Sequence, residues 1–202
     1  LFLARSVCRF LKEKRDALFL LVGKGSAAGD VEQYFKEQGV GDRLIRTGVL
    51  KGRALVDAYH AMNLFGFASK TETQGMVMTE AMAAGAAVVA LAASGARDIV
   101  KDGESGKLVY EASDRDFAAA LLEMAGRYEK APDALQQACR GRAAHFSMDN
   151  CAGKALGLYE KLLRDEKHYT HGKHDPWENS LERLKAEWDL FRSKTASLFS
   201  RR

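Results

Sequence analysis

Cysteine is scarce, and the few that occur form no pattern. Cys8, Cys139 and Cys151 are the only three in 202 residues. An odd number without metal-ligand spacing argues against a disulfide framework and a zinc site alike, and fits reduced thiols in a cytosolic protein. A basic block with interleaved aromatics is also lacking. The net charge is +4 and the pI about 8.9, with both signs spread along the chain, so the usual footprint of nucleic-acid binding is excluded. No apolar run is long enough for a spanning helix. The run over 81–96 is short, rich in Gly and Ala, and reads as helix, turn and strand. Internal repeats and low-complexity segments are absent. Leu1 opens the sequence without Met and without a charged leader. The expectation is therefore no signal peptide, and a chain that is part of something longer.

What remains is a sequence with 47% hydrophobic residues, enough for a core, and a length suited to one domain with extensions. Residues 3–14 read as a helix with Leu3, Val7, Phe10 and Leu11 on one face. Residues 18–22 form an apolar strand, and Gly23-Lys24-Gly25 follows at its carboxyl end, where α/β sheets bind ligands. The same glycines also fit a plain tight turn. A helix over 30–38 ends at Gly39, a strand over 44–46 is left through Thr47-Gly48-Val49, and a helix over 54–60 leads to a strand at 64–67. After a polar loop come a helix over 75–84 ended by Gly85, a strand at 88–90, a helical turn at 97–100 and a strand at 107–109. Helices over 117–125, 134–144 and 148–163 complete the pattern. Five strands alternating with helices predict an α/β fold, a Rossmann-like doubly wound parallel sheet with C-terminal helices.

The chemistry concentrates in 64–90. Glu72 lies in the polar loop, and Glu80 follows after seven intervening residues, inside the helix. Met76, Val77, Ala81, Ala83 and Ala84 around Glu80 predict a largely buried helix, in which an ionised carboxylate needs a hydrogen-bond partner. Gly75 opens the helix, where free N–H groups and the positive dipole end attract anions, and its missing side chain permits close backbone approach. An acid, an anion site and a second acid suit a ligand that carries a phosphate flanked by hydroxyls. A solvated loop acid and a salt-bridged helix residue fit the spacing equally well. Asp114-Arg115-Asp116 has the D-x-D form of a metal site, but it follows Ser113 at a helix start, where first-turn acids complement the dipole. His168, His171 and His174 lie in a polar stretch with no cysteine nearby, which favours a chance cluster over zinc.

The pair Glu72 and Glu80, the turn Thr71-Glu72-Thr73-Gln74-Gly75 and the run Glu80-Ala81-Met82-Ala83-Ala84-Gly85 together resemble the donor-binding segment of glycosyltransferase family 4 (group 1), which has the GT-B fold. The resemblance extends over roughly 3–163, through Gly39-Val40-Gly41-Asp42-Arg43, Thr47-Gly48, Asp98-Ile99-Val100, Asp102-Gly103 and Phe146-Ser147. The family more often has Glu at the position of Asp98. The resemblance implies the C-terminal, donor-binding domain of a retaining enzyme that acts on a nucleotide-diphosphate sugar. The acceptor domain would be absent from this chain. Glu80 would hold the ribose hydroxyls, and Glu72, the catalytic candidate, would contact the donor sugar near its anomeric carbon. Thr73, Gln74, Gly75, Met76 and Val77 would face sugar and diphosphate, Gly23 would line the donor site, and Gly48 with Val49 would border the base. The scheme calls for no cofactor and no metal.

The family's first strand, with a following loop that bears an Arg and a Lys, has no counterpart here. Residues 2–5 cannot supply it with Lys12 or Lys14 as the second base, because too few residues then remain before the strand at Leu18. That strand would be central, so its neighbours are expected to be unpaired unless another segment fills the gap. The alternatives are a nucleotide-sugar module that no longer catalyses, or a GT-B-like epimerase or phosphorylase. The expected organisation is a nucleotide-sugar-binding domain over 1–165, a linker over 166–174 and an amphipathic helix over 175–202. Asp175-Pro176-Trp177-Glu178 opens that helix, and Trp177, Leu181, Leu184, Trp188, Phe191, Thr195 and Leu198 form its seam. The seam predicts packing against protein, self-association included. A peripheral contact at the inner membrane face is the other expectation for an otherwise cytoplasmic protein.

Overall fold

The computed structural model describes residues 1–71 and 74–165. The expected linker 166–174 and helix 175–202 lie outside the described residues, as do the three clustered histidines. The chain divides into two compact units, Leu1–Cys151 and Ala152–Arg202.

In the first unit the elements run α1 (Phe2–Glu13), β1 (Phe19–Val22), α2 (Ala28–Glu37), a short 3-10 turn (Gly41–Arg43), β2 (Leu44–Gly48), α3 (Gly52–His60) and β3 (Leu64–Phe67). They continue with α4 (Met76–Ala83), β4 (Ala87–Leu91), α5 (Ser94–Ile99), β5 (Gly106–Val109), α6 (Asp114–Lys130), α7 (Pro132–Ala144) and the start of α8 (Met148–Asp165). Every strand pairing is parallel, as the alternation of strands and helices predicts. The strands nevertheless form two sheets. β1 pairs with β2, and β3, β4 and β5 pair in that order. Among the described residues nothing bridges β1 to β3.

The helices fall into two groups. α1 packs against α2 and α6, while α4 packs against α3, α5 and α7. Right-handed crossovers between parallel strands put these groups on opposite faces. β4 (Ala-Val-Val-Ala-Leu) is buried at all five positions, as expected of an apolar strand covered on both sides. Leu11, Phe35, Met78, Met82, Phe117 and Met124 fill the core around it. Phe117 also takes Phe2 edge-on at 5.7 Å, and Phe35 stacks on Phe19 at 5.6 Å. Arg43 secures the end of α1 by donating to the carbonyls of Leu11 (2.6 Å) and Lys14 (3.1 Å), which have no helical partner. In the second unit, α8 carries Leu156, Tyr159 and Leu163 as exposed apolar side chains. Among the described residues no helix is long and apolar enough to cross a membrane.

Candidate functional site

The described candidates fall in two places, after the carboxyl ends of β1 and β2 and on α4, which follows β3. Gly23 ends β1 and Gly48 ends β2, with φ of 123° and 71°. The Gly23 N–H donates to the Gly48 carbonyl at 2.7 Å. The two backbone turns that the sequence placed at strand ends are thus joined directly, and Val49 follows them with half its surface exposed. The polar loop follows β3. Glu72 and Thr73, within it, lie outside the described residues. Gln74 is exposed.

Gly75 is the N-cap of α4, with φ 64°. A Cβ there would stand 2.2 Å from Ile99 Cδ1 and 2.7 Å from Met78 Cε. The close approach that glycine permits is therefore taken by the protein's own core. The Gly75 carbonyl accepts from the N–H groups of Met78 (2.9 Å) and Thr79 (3.3 Å), which fixes the opening turn. The N–H groups of Met76 and Val77 stand in that first turn, where a helix has no internal acceptor for them.

Glu80 differs from expectation. It is exposed, not surrounded by buried neighbours. Only Met78, Ala81 and Met82 of α4 are buried. Met76 is 59% exposed and Val77 36%. An eight-residue helix packs one stripe, and Met76, Glu80 and Ala83, spaced four and three apart, form the opposite one. The predicted hydrogen-bond partner is present all the same. Tyr59 on α3 donates its hydroxyl to Glu80 Oε2 at 2.8 Å. The Tyr59 ring leans on Phe65 at 6.1 Å. Burial, and then the Glu80 carboxylate, push the Tyr59 phenol well above its ordinary pKa. Tyr59 escaped the sequence reading. Its signal was a place on the inner face of α3 beside Ala58, where a half-buried tyrosine needs a partner for its hydroxyl.

A shallow hollow of about 400 Å³ adjoins Glu80, lined by Thr79 and Ala83 of α4 and by Arg140, Ala143 and Phe146. Beside it, the Arg142 guanidinium lies 5.0 Å over the Phe146 ring and donates to the carbonyls of Ile99 (2.7 Å) and Asp98. Arg142 thus takes hold of Asp98 by its backbone, and the Asp98 side chain stays exposed. An exposed carboxylate braced by a phenol can accept from a pair of hydroxyls, and a helix opening can receive an anion.

The other candidates have structural partners. Asp114 takes the Arg9 guanidinium at 2.6 Å, a hydrogen bond that holds its carboxyl below the usual range. The Asp116 N–H donates to Ser113 Oγ at 3.2 Å. Asp102 Oδ1 accepts from the Leu108 N–H at 2.8 Å and fixes the turn before β5. Burial pushes the Cys8 and Cys139 thiols up to about 11. Among the described residues no three His, Cys, Asp or Glu side chains gather as a metal site.

The model of the family described as "Glycosyl transferases group 1" matches residues 1–127. The D-inositol 3-phosphate glycosyltransferase of Mycolicibacterium smegmatis is 33% identical over 144 residues, which is 71% of this chain and 32% of that protein. The sulfoquinovosyl transferase SQD2 of Arabidopsis thaliana is 37% identical over 105 residues, 52% of this chain and 19% of that one. This chain thus spans about a third or less of the length of these relatives. Among solved structures, the pneumococcal O-GlcNAc transferase GtfA in complex with UDP and GlcNAc superposes with a TM-score of 0.68 at 20% identity, over 81% of this chain and 33% of that one. Sucrose-phosphate synthase from Thermosynechococcus elongatus does so with 0.61 at 26% identity, over 80% and 42%. The match over 1–127 establishes that the chain belongs to the group 1 glycosyltransferases, in keeping with the α/β architecture.

Proposed function

We propose that this chain is the donor-binding half of a retaining glycosyltransferase, which moves a hexosyl group from a nucleotide-diphosphate sugar to an acceptor in cytoplasmic glycan or glycolipid synthesis. The observation that carries the proposal is the exposed, Tyr59-braced carboxylate of Glu80 on the helix that Gly75 opens. Glu80 accepts from the ribose hydroxyls. The first-turn N–H groups of Met76 and Val77 meet the diphosphate, with Thr73 and Gln74 facing the sugar. Gly23, Gly48 and Val49 border the nucleotide at the neighbouring strand ends. Glu72 contacts the donor sugar and steadies positive charge as the anomeric bond breaks. The leaving diphosphate gains negative charge in that step, so donors fixed in advance act most strongly in the transition state. The scheme draws on no metal and no cofactor. The acceptor is held by a domain outside this chain.

The test is calorimetry of nucleoside diphosphates, UDP first, on the full-length protein. Glu80→Gln is expected to weaken binding by about 1–3 kcal/mol, the range for a hydrogen bond to a charged group. Glu72→Ala is expected to lower turnover far more than affinity. Unchanged affinity in a folded Glu80→Gln protein would remove Glu80 from the site.

A further inference from the structure

α8 separates its side chains completely by character. At about 100° per residue, every apolar side chain from Met148 to Leu163 falls within an arc of about 160°. Lys154, Glu160, Lys161 and Arg164 fall outside it. Along this arc Ala152 and Ala155 make a small patch, and Leu156, Tyr159, Leu162 and Leu163 make a large one nearer the carboxyl end. Among the described residues nothing covers the arc. Every residue from Met148 to Arg164 is exposed, with Leu162 at 56% and Leu163 at 69%. α6 and α7 differ, because each buries an apolar stripe, Leu121 with Met124 on one and Leu135 with Cys139 on the other. A helix of 18 residues draws most of its stability in water from packing of its apolar face, so α8 calls for an occupant.

We propose that the occupant is the chain's own tail, residues 175–199, laid antiparallel along α8 as the second arm of a helical hairpin. The sequence of the tail supplies the matching surface. Trp177, Leu181, Leu184, Trp188 and Phe191 recur by four and three, as a helix that packs one stripe on one neighbour requires. The connection has a suitable length. Residues 166–174 are nine in number, close to the roughly two to eight usual between antiparallel helices, and they readily cross the about 8–10 Å between packed helix axes. A tether this short holds the tail near α8 at an effective concentration of about millimolar, which places it ahead of a second copy at micromolar concentration. The register follows from the equal rise of the two arms. With Trp177 set against Leu163, Leu181 meets Tyr159, Leu184 meets Leu156 and Trp188 meets Ala152. The bulkiest side chain of the tail thus lies over the small patch of α8, the pairing of large with small that close packing needs.

The test is photo-crosslinking of the full-length protein with p-benzoylphenylalanine in place of Trp188, read by mass spectrometry of the linked peptides. Illumination is expected to join position 188 to residues 148–159 of the same molecule. The yield is expected to stay constant over roughly a hundredfold dilution, as an intramolecular contact requires. Leu156→Asp combined with Leu163→Asp changes two exposed side chains of α8 and is expected to cut that yield about tenfold. An unchanged yield in this double variant overturns the proposal. Links from position 188 only to other parts of the protein overturn it too. In a mixture of isotope-labelled and unlabelled protein, α8 links that join the two forms would assign the face to a second copy and overturn the hairpin. Absence of any α8 link, together with flotation on phosphatidylglycerol vesicles that Trp188→Glu abolishes, would give the tail to a membrane surface and overturn it as well.

Discussion

Glu80 depends on a phenol 21 positions away in sequence. Tyr59→Phe keeps the ring on Phe65 and removes only the donor. Nucleoside diphosphate affinity is expected to fall about fivefold, near 1 kcal/mol, without loss of fold. The Tyr59 phenol is raised by burial and by Glu80. A raised phenol favours the folded state while it is neutral. Its contribution is fully present below about pH 10, the ordinary value, and is lost as pH rises through the folded-state pKa. Gly75 is held by two constraints, a left-handed backbone and the Ile99 side chain over its Cα. Gly75→Ala is expected to cost about 2 kcal/mol or more in urea unfolding. Ile99→Val, which lacks the clashing Cδ1, should recover part of that loss in the double variant. Full recovery would leave the positive φ without a cost. The sequence displayed this glycine and its place at the helix start. It could not display Ile99 above it, which arrives from another element.

At the scale of elements, caps were the most legible feature. Ser113 stands before α6 and Ser147 before α8, and their hydroxyls accept from the N–H groups of Asp116 (3.2 Å) and Asn150 (3.3 Å). Ser113→Ala is expected to cost about 1 kcal/mol in thermal or urea unfolding. A negligible change would mean that water serves that N–H equally well. Helix ends without side-chain caps were less legible. The reading over 117–125 fell short of α6, which continues to Lys130. Gly126 weakens the local propensity. The helix persists because Tyr128 packs against the core and Glu129 pairs with Lys14, 115 positions earlier. In α4 the error concerned the face. Small apolar residues surround Glu80 in sequence, and only packing decides which stripe turns inward.

At the scale of the whole molecule, the 202-residue chain by itself is expected to transfer no sugar and to bind nucleoside diphosphates only weakly. It spans about a third of the length of its inositol-phosphate relatives, and its sheet is split where the proposed site begins. Assay of donor consumption with the isolated chain checks this, and transfer by that chain alone would refute it. The sequence by itself determined the parallel α/β architecture, because five short strand-like runs alternate with amphipathic segments. It also determined the family, through Glu72, Glu80 and the residues between and after them. Both are local properties, written in periodicity and in the order of neighbouring residues. The tertiary structure alone decided that Tyr59 braces Glu80 and that Ile99 claims the space over Gly75. Each of these joins elements that are separate in the chain, and hydrogen bonds and packing between such elements are fixed only when the helices close over the sheet.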